Sequence, residues 1–157
     1  MSARRPLADR IEVAAPGVAA VLARFVSRAP EGVRARALQA AFDRARDAFN
    51  RGDLEAVFAL FAEDVEYVPP APLYEGPPIS GRDAVLAFWE EQLTRFRSSS
   101  IENLSIEEAA PGRFVRRASL RHVPAGEGEP LEYVILQTTE LRRGRVIRQV
   151  NEVGEAG

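Results

Sequence analysis

The fold of this chain is decided by the stretch DAFNRGDLEAVFALFAEDVEYVPP, which runs from Asp47 to Pro70. Its pattern predicts the end of one helix, a break at Arg51-Gly52-Asp53, a second helix, and a short strand that stops at prolines. Gly52 favours a left-handed helix end, and Asp53 is a good N-cap for the next helix. The stretch carries more aromatic surface than a helical hairpin needs, in Phe49, Phe58, Phe61 and Tyr67. The question is what such a unit encloses.

Composition indicates a single globular domain. The 157 residues are 46% apolar and 28% charged, which suits one core, and the chain is too short for two ordinary domains. The formal net charge of −2 gives no reason to expect nucleic acid or an anionic membrane as a partner. All 21 basic residues are arginine, which we attribute to codon bias rather than to phosphate recognition.

The residue types argue against most metal and cofactor chemistry and leave open only a carboxylate site for a hard cation, for which no EF-hand-like loop is present. The absence of Cys excludes disulfides, thiolate nucleophiles and zinc–sulfur sites, and the single histidine, His122, excludes a multi-histidine metal site. The chain has no dinucleotide or phosphate-loop fingerprint, so we expect no cofactor. No segment approaches the ~20 apolar residues that span a bilayer, and we expect a cytoplasmic protein without a membrane partner.

The periodicity divides the chain at about residue 30. We expect an N-terminal extension, residues 1–30, that is irregular up to residue 17 and then forms a short amphipathic helix from Val18 to Val26. The main domain, residues 31–157, then begins with a helix from Glu31 to Asn50 whose apolar residues form one stripe.

Helices precede most of the strands in the main domain. A second helix is predicted from Leu54 to about Phe61, and a third begins at Gly81 and ends at Ser98–Ser100. The proline-rich segment 69–81 predicts an irregular loop. The predicted strands are Asp64–Val68, Ile101–Glu108, Phe114–His122, Leu131–Leu141 and Arg145–Val153. This order indicates an α+β fold.

Three segments together resemble the SnoaL-like branch of the nuclear transport factor two-like superfamily. They are FNRGDLEAVFALFAEDVEY, GRDAVLAFWEEQL and TTELRRGRVIRQVNEV, and the resemblance extends from about Val33 to Val153. It implies a cone, in which a curved antiparallel sheet wraps around about three helices and an apolar cavity opens at the wide end. Here the cone would carry an extra N-terminal helix.

The resemblance also implies a homodimer, because many members of the superfamily pair through the outer face of the sheet. The outward positions of the long Leu131–Leu141 strand agree with this expectation, since Val134, Leu136 and Thr138 are too apolar for a fully wetted face.

Strand parity predicts which side chains line the cavity, because alternate residues of a strand point to opposite faces. We expect inner faces at the odd positions of the last two strands, the final one running from Ile147 to Val153, and at the even positions of Phe114–His122. An apolar chamber with a few polar groups is the usual form of a small-molecule site. The candidate ligand-binding residues are Phe61, Tyr67, Trp89, Phe114, Arg116, Tyr133, Gln137, Gln149 and Asn151.

His122 is the candidate catalytic residue. In the polyketide cyclases of this superfamily a histidine comes just before a glycine-rich turn, and LRHVPAGEGEP places His122 in a similar position. An imidazole suits proton transfer near neutral pH. This resemblance implies an acid–base enzyme of secondary-metabolism type, similar to a polyketide cyclase, isomerase or hydratase.

The carboxylates of other relatives have no counterpart here. The base position of ketosteroid isomerases falls at about Pro69, their tyrosine donor at about Ala45 and their acidic donor at Gln137. Limonene-type epoxide hydrolases need two carboxylates that flank an arginine. Arg116 is available for that role, but Gln137 and Asn151 are not acids. We therefore predict a pocket protein that binds an apolar, oxygenated small molecule without a carboxylate base, with the His122-dependent enzyme as the alternative.

Overall fold

The computed structural model describes residues 5–14 and 28–155, and within these residues the chain forms four helices and six strands. The helices are α1 (Leu7–Ala14), α2 (Glu31–Asn50), α3 (Leu54–Val57) and α4 (Arg82–Thr94). The strands are β1 (Phe61–Val68), β2 (Ile79–Ser80), β3 (Phe96–Ala110), β4 (Arg113–Pro124), β5 (Leu131–Arg142) and β6 (Arg145–Gly154). No helix within the described residues is long and apolar enough to cross a membrane.

The strands form one curved, unclosed sheet in the order β2-β1-β6-β5-β4-β3. All neighbouring strands run antiparallel except β1 and β6, which pair in parallel. Helix α2 contacts β3, and α4 contacts both β1 and β3, so the two long helices span the sheet from one side to the other. The α+β cone predicted from the sequence is confirmed.

The corner between α2 and α3 forms as the sequence predicts. Gly52 adopts a left-handed φ of 76°, and the Asp53 side chain accepts a hydrogen bond of 3.2 Å from the backbone N–H of Ala56. Helix α3 ends at Val57, however, and not near Phe61. Phe61 already belongs to β1, where it pairs with β6, so the chain must turn before it.

Two predictions of local structure around α4 are wrong. Ser98–Ser100 does not end the helix, which stops at Thr94, but lies within β3 and pairs with Arg121–Val123 of β4. This ladder satisfies the backbone groups of the serines, and it outweighs their tendency to break helices and form turns. The predicted loop 69–81 contains Ile79–Ser80, which forms β2 by pairing with the end of β1.

The N-terminal segment also differs from the prediction. Residues 7–14, expected to be irregular, form α1, while the helix predicted from Val18 to Val26 lies outside the described residues. Asp9 of α1 is 2% exposed and forms an ion pair with Arg51 at the end of α2. Arg5 adds a second link, with its Nε atom 2.6 Å from Oδ2 of Asp53. Long-range ion pairs of this kind leave no periodic pattern in the sequence.

We expect Asp9→Asn to lower the free energy of unfolding by about 2 kcal/mol, because it removes one of the two carboxylates that pair with the largely buried Arg51 and leaves only the 3.3 Å contact with Asp53. Urea unfolding at pH 7 measures the change. The matched control is Asp47→Asn, which removes an exposed pair with Arg46 and should cost less than about 1 kcal/mol. Equal losses in the two variants would contradict this account of how α1 is held.

Candidate functional site

A row of polar side chains crosses the inner face of the sheet. Arg116 of β4 pairs in register with Gln137 of β5, and Gln137 pairs in register with Asn151 of β6. All three are buried, with exposures of 6%, 5% and 4%. The Gln137 Nε2 donates to Asn151 Oδ1 at 2.8 Å, and the Asn151 Nδ2 donates to the backbone carbonyl of Val68 at 2.9 Å. Hydrogen bonding therefore fixes the two amides, which buried polar groups require.

Aromatic rings pack over this row. Phe49 and Trp89 meet edge to face with ring centroids 5.4 Å apart, and Phe58 and Phe61 do so at 4.8 Å. The Trp89 Nε1 donates a hydrogen bond of 2.9 Å to the buried hydroxyl of Tyr67, and burial raises the pKa of that phenol. The surplus aromatic surface of the 47–70 stretch thus belongs to one cluster between the helices and the sheet.

A cavity of about 80 Å³ lies between this cluster and the polar row. Its polar lining consists of Arg116, Gln137, Gln149 and Asn151 together with the Tyr67 hydroxyl. Gln149 is held by a 3.0 Å hydrogen bond from its Nε2 to Oγ1 of Thr139. The helices and their corner contribute Phe42, Ala45, Phe49, Val57, Phe58 and Trp89. The strands and the segment after β1 contribute Phe61, Pro70, Ile101, Leu120 and Ile135.

Two of the residues that line the cavity each have a buried polar atom without a partner. The Arg116 Nε and the Gln137 Oε1 are both buried and form no hydrogen bond within the described residues. The Arg116 Nη1 donates to Asn103 Oδ1 at 3.1 Å, and the guanidinium carbon lies 5.1 Å from the centre of the Phe42 ring. None of the described carboxylates forms an ion pair with Arg116, and burial lowers its pKa to about 10. Arg116 therefore keeps its charge at neutral pH and places it against the cavity.

His122 lies on the inner face but is not among the cavity-lining residues. Its Nδ1 is 2.8 Å from Ser99 Oγ, its Nε2 is 2.9 Å from Tyr133 OH, and its ring stacks on Phe96 at 4.6 Å. The side chain is fully buried, and this burial lowers the pKa of the imidazole to about 4. The ring is therefore neutral at physiological pH and has a hydroxyl partner at each nitrogen.

The structure brings together most of the candidate residues but not all of them. Seven line the cavity: Phe61, Tyr67, Trp89, Arg116, Gln137, Gln149 and Asn151. His122, Phe114 and Tyr133 are not among the residues that line this cavity. The alternation of residues along a strand predicts which face of the sheet a side chain is on, but not whether that part of the strand lies next to the cavity. The cavity covers the middle of β4, whereas Phe114 lies near the start of this strand and His122 near its end.

The prediction that the odd positions of the last strand face inward fails near the start of β6. Val146 is buried there and Ile147 is only half-buried, the reverse of the expected pattern. The pairing shifts by one residue between Glu140 and Leu141, so that Glu140 pairs with Arg148 and Leu141 pairs with Val146. A bulge of this kind exchanges the two faces of a strand locally. At the other end of β6, Val153 is 53% exposed.

Sequence reasoning missed several lining residues. Phe42, Ala45 and Phe49 belong to the apolar stripe of α2, so the helical periodicity contained the signal that they face the sheet. The partner of His122 was also missed. Ser99 becomes its cross-strand neighbour only when β3 extends through the serines, which the sequence pattern did not indicate.

The comparisons with known proteins agree with this architecture. The family model described as a SnoaL-like domain matches residues 42–149. This chain belongs to the SnoaL-like family. The matched region extends from the middle of α2 into β6 and includes six of the seven cavity-lining candidates, all except Asn151. No curated protein matches the chain.

Solved structures with the same fold share little sequence with this SnoaL-like chain. An NTF2-like protein of unknown function from Burkholderia pseudomallei is 22% identical with a TM-score of 0.63, over 74% of this chain and 89% of that one. TerC, co-crystallised with polyporic acid, is 17% identical with a TM-score of 0.61, over 73% and 89%. An LEH-like epoxide hydrolase of M. tuberculosis is 14% identical with a TM-score of 0.57, over 73% and 80%. At these identities the similarity establishes the fold alone.

We expect the imidazole of His122 to titrate with a pKa near 4 in the folded protein, because burial opposes its protonation. As His122 is the only histidine, its Hε1 resonance can be followed by NMR through a pH titration without assignment. A midpoint near the ordinary 6.5 would contradict the burial of the ring.

The same shift predicts a loss of stability in mild acid. The folded-state pKa lies below that of the unfolded chain, so the stabilisation is complete above pH 6.5 and is lost as the pH falls towards 4. The loss should be on the order of 3 kcal/mol at most. Urea unfolding of the wild type and of His122→Gln at pH 7.5 and 5.0 measures it, and the difference between the two pH values should be smaller in the variant.

Proposed function

We propose that this SnoaL-like protein binds a small, apolar, oxygenated molecule in the cavity between α2 and the sheet, and that it does so without a carboxylate base. The observation that carries the proposal is the pair of buried, partnerless polar atoms, Arg116 Nε and Gln137 Oε1, in a lining whose other polar side chains are hydrogen-bonded within the protein. A buried polar atom without a hydrogen bond costs about 1–3 kcal/mol, and an oxygenated ligand can supply both an oxygen that accepts from Arg116 Nε and a hydroxyl that donates to Gln137 Oε1.

The lining lacks the groups that proton transfer requires. The described residues around the cavity include no Asp, Glu or His. Burial raises the pKa of Tyr67, so its hydroxyl stays protonated, and Arg116 stays charged. Hydrogen-bond donors and one free acceptor remain, and such groups orient a ligand but do not abstract a proton at neutral pH. The geometry therefore supports binding better than acid–base catalysis.

The His122-dependent enzyme has less support. A general base must reach the proton that it abstracts, directly or through one water. His122 lies outside the cavity lining and has hydroxyl partners at both nitrogens, and its lowered pKa makes it a weak base. The names of structural neighbours, among them an LEH-like epoxide hydrolase and a protein co-crystallised with polyporic acid, agree with small-molecule binding but do not select a reaction.

The cavity is small for a ligand and must enlarge on binding. Its volume of about 80 Å³ is below the ~150 Å³ that holds one benzene ring in an engineered protein cavity. Phe42 is the aromatic lining residue that is only half-buried, whereas the other aromatic rings of the lining are buried. An outward rotation of the Phe42 side chain enlarges the cavity next to Arg116 without disturbing the sheet.

We expect a library of aromatic acids, phenols and ketones to contain members that raise the melting temperature of the wild type. A ligand at about 100 times its dissociation constant stabilises the fold by roughly 2.7 kcal/mol. Ala45→Leu fills the cavity and should abolish the shift. Ala40→Leu makes the same change at an exposed position of the same helix and should preserve it. Thermal shift assays of the three proteins measure this, and the proposal fails if no compound stabilises the wild type.

We also propose that two copies of the chain pair through the outer face of the sheet. The outward residues Val134, Leu136 and Thr138 are half-buried within a single copy and form an apolar strip along β5. At Thr138 the register partners on both neighbouring strands, Val115 of β4 and Val150 of β6, are apolar, whereas Leu136 lies between Arg117 and Glu152. Such a strip on a central strand favours association.

Size-exclusion chromatography with light scattering should give a dimer for the wild type and a monomer for Leu136→Arg, because a buried arginine would oppose the pairing. Leu104→Arg is the control, since Leu104 is already 49% exposed on the edge strand β3. A monomeric wild type at micromolar concentration would contradict the proposal.

A further inference from the structure

Resting on the proposed function, we infer that the ligand is a small hydroxylated organic acid with about one ring, whose anionic oxygen binds Arg116 and whose hydroxyl group donates to Gln137. The inference depends on three features. They are the charge of Arg116, the complementary hydrogen-bonding character of the two open atoms (the partnerless Arg116 Nε and Gln137 Oε1), and the size of the cavity.

The charge of Arg116 is not neutralised by direct contact. The nearest link to a carboxylate passes through Asn103, whose Nδ2 donates to Asp43 Oδ1 at 3.2 Å while its Oδ1 accepts from Arg116. Asp43 is itself paired with Arg46, at 3.1 Å. One positive charge therefore remains at the cavity, and an anionic ligand oxygen would compensate it where solvent is largely excluded.

The two open atoms have opposite hydrogen-bonding character. The Arg116 Nε–H is a charged donor, and the Gln137 Oε1 is a neutral acceptor whose amide nitrogen is already engaged by Asn151. The two residues are register partners on adjacent strands, which lie about 4.8 Å apart. A carboxylate alone accepts a hydrogen bond from Arg116 Nε but leaves Gln137 Oε1 without a donor. A molecule with an anionic oxygen and a nearby O–H group satisfies both.

The apolar lining limits the remainder of the ligand. The aromatic rings of Phe49, Phe58 and Trp89 face the polar row across the cavity. They favour a flat, apolar body, and because the cavity of about 80 Å³ must enlarge even for one ring, a single-ring ligand requires the smallest enlargement.

Isothermal titration calorimetry at pH 7 with four single-ring probes tests the inference. The probes are benzoate, 3-hydroxybenzoate, benzamide and benzyl alcohol. We expect 3-hydroxybenzoate to bind most tightly, benzoate next, and the neutral probes about tenfold or more weakly. Arg116→Gln should lower the affinity for both acids by about tenfold or more, and Arg116→Lys should restore part of it because it keeps a positive charge.

Two further variants test whether the changes in affinity arise from contacts in the cavity or from a general effect of substitution on the protein. Arg117→Gln alters the next residue of β4, whose side chain is on the outer face and donates to the backbone carbonyl of Glu155, and it should leave the affinities unchanged. Gln137→Met should remove the advantage of 3-hydroxybenzoate over benzoate while both still bind. Circular dichroism and melting temperature report whether each variant is folded.

The outcomes distinguish this inference from the proposed function. If neutral probes bind as well as the acids, or if Arg116→Gln has no effect on a folded protein, the inference is overturned and binding in the cavity still stands. Equal binding of chloride or nitrate would also overturn it, since an inorganic anion needs no apolar body. If neither the four probes nor the wider library binds, the proposed function fails as well.

Discussion

The pairing register of β4, β5 and β6 is the constraint on which the rest of this structure depends. It places Arg116, Gln137 and Asn151 in one line across three strands, so that residues far apart in the chain form a single polar row. A shift of one residue in either pairing would send part of this row to the outer face and bring a different set of side chains inward. The aromatic cluster packs over the row, and the cavity is the space that remains between them.

The sequence predicted the face of most side chains and the bounds of the long helix, because both follow from local periodicity. Helix α2 runs from Glu31 to Asn50 as expected, and the even positions of β4 face inward. The predictions that failed depend on contacts between distant residues. The bulge that leaves Ile147 only half-buried arises from the pairing of β5 with β6, and α1 is held by an ion pair between Asp9 and Arg51. Periodicity in one segment contains no information about either contact.

The sequence predicted the types of side chain in the candidate site better than their positions relative to the cavity. Strand parity predicts that Gln137, Gln149 and Asn151 are on the inner face, and each lines the cavity. His122 was chosen for its imidazole and its position before a turn, yet its distance from the cavity depends on how the helices fill the cone. Its burial next to Tyr133 and Ser99 lowers its pKa and removes the property that made it a candidate.

The backbone carbonyl of Val68 marks one end of a line of hydrogen bonds that crosses the molecule. Proline follows Val68 twice, and because proline has no N–H, the strand cannot continue and this carbonyl is left for Asn151. From the opposite side a second line runs from Asp43 through Asn103 to Arg116. The two lines face each other across the gap between Arg116 Nε and Gln137 Oε1. A molecule that accepts from Arg116 Nε and donates to Gln137 Oε1 would therefore connect α2 to the end of β1 through a continuous series of hydrogen bonds.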